Sequence, residues 1–292
     1  MKTNEIQMRD PYVFLQGDTY YLIGTTDKSC WTGPFVGFDA YKSGDLENWE
    51  GPFPAFRPDA SFFADRNFWA PEIHEFGGNF YLFASFKSDA IKRGTAILKS
   101  ESGSPAGPYK LHSCGNVTPE NWECLDGTLY IDNENNPWMV FCHEWVQEGG
   151  GAICTIPLSN DLTRAVGDAR ELFFAKDVSW TLPVNHSSGI SGNVTDGPTM
   201  YKPTNGELWM LWSSMTATGY CIGLSVSKSG SIDGPWQHGE QPLFSADGGH
   251  GMVFRAKSGE LYLTIHTPNK TPNERPIFLK LAENSDGFEI IK

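Results

Sequence analysis

The stretch that decides the fold is DPYVFLQGDTYYLIGTT, residues 10–26, because four later stretches of the chain repeat its pattern. Each copy contains a short apolar strand, a turn that carries Gly or Asn, and a second strand rich in aromatic residues. The copies start roughly 55–70 residues apart, and a unit repeated in this way is typical of a propeller with one blade per unit. The five repeats begin at Asp10, Ala70, Asp126, Asp196 and His250.

The segments between the repeats also favour strands. They are more polar and end in a second recurring phrase, for example KSGDLENWEG at residues 42–51. No helical periodicity extends beyond about two turns. We therefore predict an all-β protein, a single five-bladed β-propeller domain that spans residues 1–292. In such a fold Trp49, Tyr109 and Trp236 are expected to pack between blades.

The composition excludes some classes of partner. The chain has 292 residues, a formal net charge of −13 and a pI of about 4.9. Because phosphate backbones are bound by basic surfaces, this charge argues against nucleic acid as a partner. No apolar stretch approaches the length of a membrane span. We expect a monomer that binds a neutral ligand, with no nucleic acid and no membrane partner.

The sequence leaves the compartment and the redox state open. The first ten residues, MKTNEIQMRD, contain no apolar h-region, so no signal peptide is visible. The protein is secreted or periplasmic if a signal peptide has been removed, and cytoplasmic otherwise. The six cysteines show no metal-ligand spacing. A disulfide between Cys142 and Cys154 is compatible with adjacent strands, but buried free thiols are the favoured interpretation.

Matching positions in symmetric blades meet at the central axis, so Asp10, Asp126, Asp196 and His250 are expected to converge there. Carboxylates gathered in a partly desolvated funnel repel one another, which raises the pKa of at least one of them. A site with one ionised and one protonated acid suits general acid–base chemistry, including hydrolysis of a glycosidic bond with inversion. A calcium cluster is the main alternative, since hard cations also collect carboxylates. His250 is either a core histidine or a ligand.

Five phrases, one in each blade and in order, resemble glycoside hydrolase family 43. That resemblance implies a five-bladed inverting enzyme that acts mainly on arabinose- and xylose-containing glycans and needs no organic cofactor. It implies that Asp10 is the general base that activates water, and that Asp126 tunes the pKa of the general acid. It also implies that His250 helps to hold a calcium ion on the axis. The phrases are MRDPYV (8–13), FWAPEIH (68–74), LDGTLY (125–130), VTDGPTMYK (194–202) and GGHGMVF (248–254).

The chain departs from the family pattern at the general acid. The family usually has Glu before Gly-Pro or Ala-Pro, and this chain has Asp196. Asp is one methylene shorter, and reach governs proton transfer as much as pKa does. We therefore predict Asp196 as the acid, with Glu144 at the rim of the third blade as the substitute.

The remaining predicted site residues bind substrate. Phe68 and Trp69 resemble the sugar-stacking aromatics of the family, and Arg275 resembles a cleft arginine that contacts sugar hydroxyls. His143 and Glu144 end a second strand and are expected at the rim. Core packing for the aromatics and a surface ion pair for Arg275 are the alternatives.

The expected substrate is a neutral glycan that contains pentose. Insertions at 86–93 and 181–195 favour a pocket closed at one end, hence an exo-acting α-L-arabinofuranosidase or β-D-xylosidase. An endo-acting arabinanase or xylanase requires an open groove instead. The change from Glu to Asp also leaves open a catalytically silent propeller that only binds carbohydrate.

Overall fold

The computed structural model describes residues 1–291 and confirms the all-β propeller. Five antiparallel four-stranded sheets form the blades, and within each sheet the strand order follows the chain. Within the described residues 1–291, helix is limited to the four-residue α1 at Trp145–Glu148 and to 3-10 turns at Thr3–Glu5 and Ala175–Asp177. This agrees with the absence of helical periodicity in the sequence.

The first three blades contain strands β1 to β12. The first blade has β1 Arg9–Gln16, β2 Thr19–Thr25, β3 Phe38–Ser43 and β4 Glu50–Phe56. The second has β5 Arg66–Phe76, β6 Asn79–Lys87, β7 Gly94–Ser100 and β8 Tyr109–Asn116. The third has β9 Cys124–Ile131, β10 Pro137–His143, β11 Ala152–Pro157 and β12 Arg170–Phe174.

A small hairpin and the last two blades follow. The hairpin pairs β13 Val184–Asn185 with β14 Ser191–Gly192. The fourth blade has β15 Asp196–Tyr201, β16 Leu208–Thr216, β17 Gly219–Ser227 and β18 Trp236–His238. The fifth has β19 Gly249–Arg255, β20 Leu261–Thr267, β21 Arg275–Asn284 and β22 Gly287–Ile290.

Each of the five hydrophobic clusters lies at an interface between two neighbouring blades. Trp49 packs on Phe278 between the first and fifth blades, with ring centroids 6.1 Å apart. Tyr109 belongs to the cluster between the first and second blades, and Trp236 packs against the cluster between the third and fourth. The aromatic residues of the recurring phrases therefore pack between blades, as predicted.

Every first strand has the same local irregularity near its start, a register shift against the second strand that falls directly after Arg9, Trp69, Leu125, Asp196 or Gly249. The residues before the shift form what we call the pocket ring, and the residues that follow them form the axial ring. All members of the axial ring have φ between 45° and 57°. The pocket ring is Arg9, Trp69, Leu125, Asp196 and Gly249, and the axial ring is Asp10, Ala70, Asp126, Gly197 and His250.

This register corrects one feature of the way in which the five repeats were matched in sequence. Asp196 is not equivalent to Asp10 and Asp126, because Gly197 occupies the axial position of the fourth blade. A Cβ on Gly197 would lie 2.6 Å from the His250 ring, and the φ of Gly197 is +51°. Glycine is therefore required where the imidazole packs against the backbone.

All six cysteines are free, and five of them are buried. In the antiparallel register Cys142 lies opposite Ile153, and Cys154 lies opposite Phe141. The favoured interpretation of buried free thiols is thus confirmed for Cys142 and Cys154. Within residues 1–291, no helix is long and apolar enough to cross a membrane.

Candidate active site

A pocket of about 580 Å³ opens at the end of the axis where the first strands begin. Asp10, Asp126, Asp196 and His250 all line it, so the structure brings together the four residues predicted to converge. Four members of the pocket ring line it as well, Gly249 being the exception. The site is therefore built from two consecutive positions of the first strands, and each strand contributes at least one of the two residues.

Asp10 is held by contacts on both carboxylate oxygens. Thr25 Oγ1 donates to Oδ2 at 2.6 Å, and His250 Nδ1 lies 3.3 Å from Oδ1. Burial by itself would raise the pKa of Asp10, but His250, Arg9 and His266 outweigh it, so the pKa lies below its usual value. Asp10 is consequently ionised and able to accept a proton.

His250 lies between two carboxylates. Its Nδ1 is 3.3 Å from Asp10 and 3.7 Å from Asp126 Oδ2. Burial would lower the pKa of the imidazole, yet the nearby carboxyl groups, Asp10 first and then Asp126 and Asp196, raise it. The imidazolium form offsets the negative charge of the axial acids.

The pKa of Asp126 is shifted in the opposite direction from that of Asp10. Burial, together with repulsion from Asp196 and Asp10, raises its pKa to about 7 against the attraction of His250. Its Oδ2 accepts a hydrogen bond from Gly197 N–H at 3.0 Å, directly beside Asp196. Asp126 thus fixes the start of the strand that carries Asp196.

The pKa of Asp196 is also raised. Burial is the main cause and Asp10 adds to it, while His250 and the hydrogen bond from Tyr220 act in the other direction. Tyr220 Oη donates to Asp196 Oδ2 at 2.9 Å and fixes the orientation of the carboxyl group. A carboxyl group with a raised pKa retains a proton that it can donate.

The ends of the second strands position the axial ring across blade interfaces. Thr25 Oγ1 accepts from Ala70 N–H at 2.8 Å, and Ser85 Oγ accepts from Asp126 N–H at 2.9 Å. Ser213 Oγ accepts from His250 N–H at 2.8 Å. These side chains are buried, and they connect neighbouring blades.

His266 makes the equivalent contact where the ring of blades closes. Its Nδ1 accepts from Asp10 N–H at 3.1 Å, joining the fifth blade to the first. Burial, with the neighbouring Arg9 charge, lowers the pKa of His266 to about 3. The ring is therefore neutral, which this acceptor role requires.

Of the two predicted rim residues on the third blade, only Glu144 lines the pocket. It forms an ion pair with the buried Arg93. The carboxyl group of Glu144 is thus engaged by an arginine, whereas that of Asp196 accepts a hydrogen bond from Tyr220. His143 is buried, stacks on Trp122 with centroids 4.3 Å apart, and contacts Gln147. The structure thus corrects His143 from a substrate contact to a packing residue.

Phe68 and Trp69 differ because adjacent strand residues face opposite sides. Phe68 is buried among Phe38, Phe56 and Phe86, so its prediction as a sugar-stacking residue is wrong. Trp69 lines the pocket, and its indole N–H donates to the Cys30 carbonyl at 2.7 Å.

Arg275 lies outside the pocket, contrary to the prediction. Its guanidinium donates to the backbone carbonyls of Asn4, Pro272 and Glu274. These contacts direct it toward the N-terminal turn. The arginines that line the pocket are Arg9 and Arg93.

Sequence reasoning missed four pocket residues that lie near the acids. Arg9 and Trp69 were quoted within the motifs, but only Trp69 was assigned a role. Arg93 lies over the Trp69 ring at 4.8 Å, and Arg9 lies over the Trp31 ring at 5.2 Å. A signal was available only for Arg9, which directly precedes Asp10. The missed residues are Arg9, Trp31, Arg93 and Tyr220.

The calcium prediction can be compared with the donors present. Among the described residues there is no group of three or more His, Cys, Asp or Glu side chains arranged to hold a metal ion. His250 faces two carboxylates through Nδ1, which fits an ion pair better than a cation ligand. These residues do not form a calcium site by themselves, and calcium at the axis stays a prediction.

The fold and the site define the class of protein, a five-bladed propeller with a cluster of buried acids in a pocket at one end of its axis. The model of the glycosyl hydrolases family 43 matches residues 4–288, and the chain belongs to this family. The match confirms the resemblance that the five phrases indicated.

Relatives of known structure and sequence support this assignment. The structure of an endo-arabinase from Bacteroides thetaiotaomicron is 37% identical, covers 98% of both chains and has a TM-score of 0.91. An extracellular exo-alpha-(1->5)-L-arabinofuranosidase of Cellvibrio japonicus is 30% identical over 55% of this chain and 46% of that protein. An extracellular endo-alpha-(1->5)-L-arabinanase of Bacillus subtilis is 26% identical over 49% of this chain and 45% of its own. The chain spans about half the length of the curated relatives it matches.

Proposed function

We propose that this protein is an inverting glycoside hydrolase that cleaves arabinose-containing glycans. Water deprotonated by Asp10 attacks the anomeric carbon, while Asp196 protonates the departing oxygen. Asp126 and His250 hold the two acids in place and set their charge. No organic cofactor takes part in these steps.

The observation that carries the proposal is that the pKa values of two acids in one pocket are shifted in opposite directions. The pKa of Asp10 is lowered mainly by His250 and Arg9 acting against burial, whereas burial raises the pKa of Asp196. Inverting hydrolysis requires one carboxylate to accept a proton and one carboxylic acid to give a proton. The directions of the two shifts agree with the proposed roles of Asp10 as base and Asp196 as acid.

Arabinan is the proposed substrate. Support comes from the relatives, whose names specify arabinase, arabinofuranosidase or arabinanase activity. The site offers aromatic faces at Trp31 and Trp69, which suit the apolar faces of sugar rings. A neutral glycan also agrees with a protein of net charge −13.

Exo action is the proposed mode, because residues of both predicted insertions line the pocket. Lys87 and Arg93 come from segment 86–93, and His186 and Val194 come from segment 181–195. Endo action is the second candidate, since the relative that is 37% identical is described as an endo-arabinase.

Product analysis tests the proposal. Purified protein is incubated with linear α-1,5-arabinan, arabinoxylan and xylo-oligosaccharides, and the products are separated by chromatography. We expect arabinose alone from linear arabinan at all times; a ladder of oligosaccharides would instead indicate endo action. Sugar binding with no cleavage of any substrate would contradict the enzyme and favour a carbohydrate-binding propeller.

A further inference from the structure

The pocket ring places Arg9 in a position equivalent to that of the proposed proton donor. Arg9 pairs with Thr25 just as Asp196 pairs with Ser213, each directly before the register shift. Both side chains line the same pocket, as does Trp69 at this position of the second blade. Arg9 and Asp10 both line this pocket, so a sugar bound there contacts the wall that both residues form.

A buried acid holds Arg9 in this position. Glu274 is fully buried, and its Oε1 lies 3.3 Å from Arg9 Nη1. Thr271 Oγ1 donates to the same oxygen, while Oε2 is buried without a hydrogen-bond partner among residues 1–291. A buried carboxylate is costly unless it is paired, so its single ion pair with Arg9 is the contact that compensates for its burial.

Trp31 covers the other side of the guanidinium. Arg9 lies 5.2 Å from the centre of the Trp31 ring, and Trp31 Nε1 donates to Thr271 Oγ1 at 3.2 Å. Trp31 is nevertheless 56% exposed, which is unusual for so large an aromatic side chain. The arrangement leaves one edge of Arg9 and one face of Trp31 on the pocket side.

Only one hydrogen bond from the Arg9 side chain to protein is described within residues 1–291, the one to Glu274. A guanidinium carries five N–H donors, so several remain for a ligand. The side chain is 12% exposed, and that exposed part is in the pocket wall.

We propose that Arg9 binds hydroxyl groups of the sugar held above Asp10, and that Glu274 is a positioning residue that fixes Arg9 against Trp31. This inference rests on the proposed glycosidase function and adds a residue that determines how the sugar is recognised. Arg9 contributes to binding through the planar fork of its donors, beyond the charge that it places near Asp10.

The test is Arg9→Lys, which keeps the positive charge near Asp10 but removes the fork. KM for a linear α-1,5-arabinotriose should rise about tenfold or more, because a hydrogen bond from a charged donor is worth roughly that factor or above. The acidic limb of the pH profile should remain where it is, since the charge is retained. The matched control is Arg170→Lys, because Arg170 also lies over a tryptophan and pairs with an acid, Asp233, but lies outside the pocket.

Glu274→Gln tests the positioning role. Its KM should rise like that of Arg9→Lys, with kcat much less affected, because the amide keeps the shape but loses the charge that attracts Arg9. The double variant should be little worse than either single variant, since both changes remove the same contact. If Glu274→Gln does not fold, the decision rests on Arg9→Lys alone.

The outcomes separate this inference from the proposed function. If the wild type cleaves the trisaccharide and Arg9→Lys has an unchanged KM, the inference is overturned and the glycosidase stands. If the wild type cleaves nothing, the proposed function fails, and calorimetry decides the inference: equal Kd values of both proteins for arabinotriose overturn it. Additive KM effects of the two changes would remove Glu274 from the positioning role.

Discussion

Two cavities between the first strands have opposite characters, although the same repeated strands form both. The pocket at the start of these strands has a volume of about 580 Å³ and is lined by four acids and by His250. An inner cavity of about 90 Å³ is lined by residues two positions further along, such as Tyr12, Thr128, Thr199 and Met252. Residues two apart on a strand share a face, so the same strand faces supply three aspartates and His250 at one level and mainly neutral residues at the next, where Glu72 contacts His74.

The difference shows how a symmetric fold separates chemistry from packing. The repeat places equivalent residues at both levels, but Asp10, Asp126 and Asp196 gather at the outer level, whereas the inner level has the single acid Glu72 beside His74 among the described residues. We therefore expect changes in the pocket to affect turnover and leave stability largely unchanged. Changes at the inner cavity should do the reverse.

The largest effect is expected for Asp10→Asn. The amide cannot take a proton from water, so kcat should fall by about 10²–10⁴-fold while the melting temperature stays near that of the wild type. Asp39→Asn is the matched control, because Asp39 is ion-paired with Arg57 outside the pocket. A loss of less than about tenfold for Asp10→Asn would remove Asp10 from the role of base.

Asp196→Ala should have an effect that depends on the leaving group. Sugar alkoxides need a proton to depart, so their cleavage should slow by about 10²–10⁴-fold, whereas nitrophenyl arabinosides should be cleaved at nearly the normal rate. Initial rates on aryl glycosides of graded leaving-group pKa provide the measurement. Glu144→Ala should weaken binding without this dependence, and an exchange of the two behaviours would make Glu144 the acid.

At the inner cavity the comparison predicts a loss of stability. Leu211 is buried and lines that cavity, so Leu211→Ala should lower the free energy of unfolding by about 2–5 kcal/mol. Denaturant titration measures this change, and kcat/KM on arabino-oligosaccharides should stay within about twofold below the melting temperature. A large loss of kcat/KM in the folded variant would contradict the separation of the two levels.

The smallest expected effect is a change in the shape of the pH profile. Activity requires Asp10 without its proton, so it falls at low pH through the lowered pKa of that group. It also requires Asp196 with its proton, so it falls as the pH rises through a raised pKa. In Asp196→Ala the alkaline limb on a nitrophenyl arabinoside should disappear. An unchanged alkaline limb would assign it to another group.

The sequence predicted the blades because alternating apolar residues and turn residues mark each repeat. It predicted the converging acids because they begin matching repeats. It did not predict that Asp196 belongs to the pocket ring and Gly197 to the axial ring, since a one-residue register shift does not change the pattern of apolar residues. Phe68 and Trp69 were equally aromatic, and only the direction of each side chain separates core from pocket. Arg9 and Glu274 lie 265 residues apart, and such a pair becomes visible only when the first and fifth blades meet.

The stereochemistry of the first product tests the central claim most directly. Proton NMR during cleavage of an α-L-arabinofuranoside by the wild type identifies which anomer appears before mutarotation. If Asp10 activates water and Asp196 donates a proton, the β anomer must appear first, because a single displacement inverts the configuration. Initial release of the α anomer would mean that a carboxylate attacks the sugar as a nucleophile, and it would contradict the roles assigned to both acids.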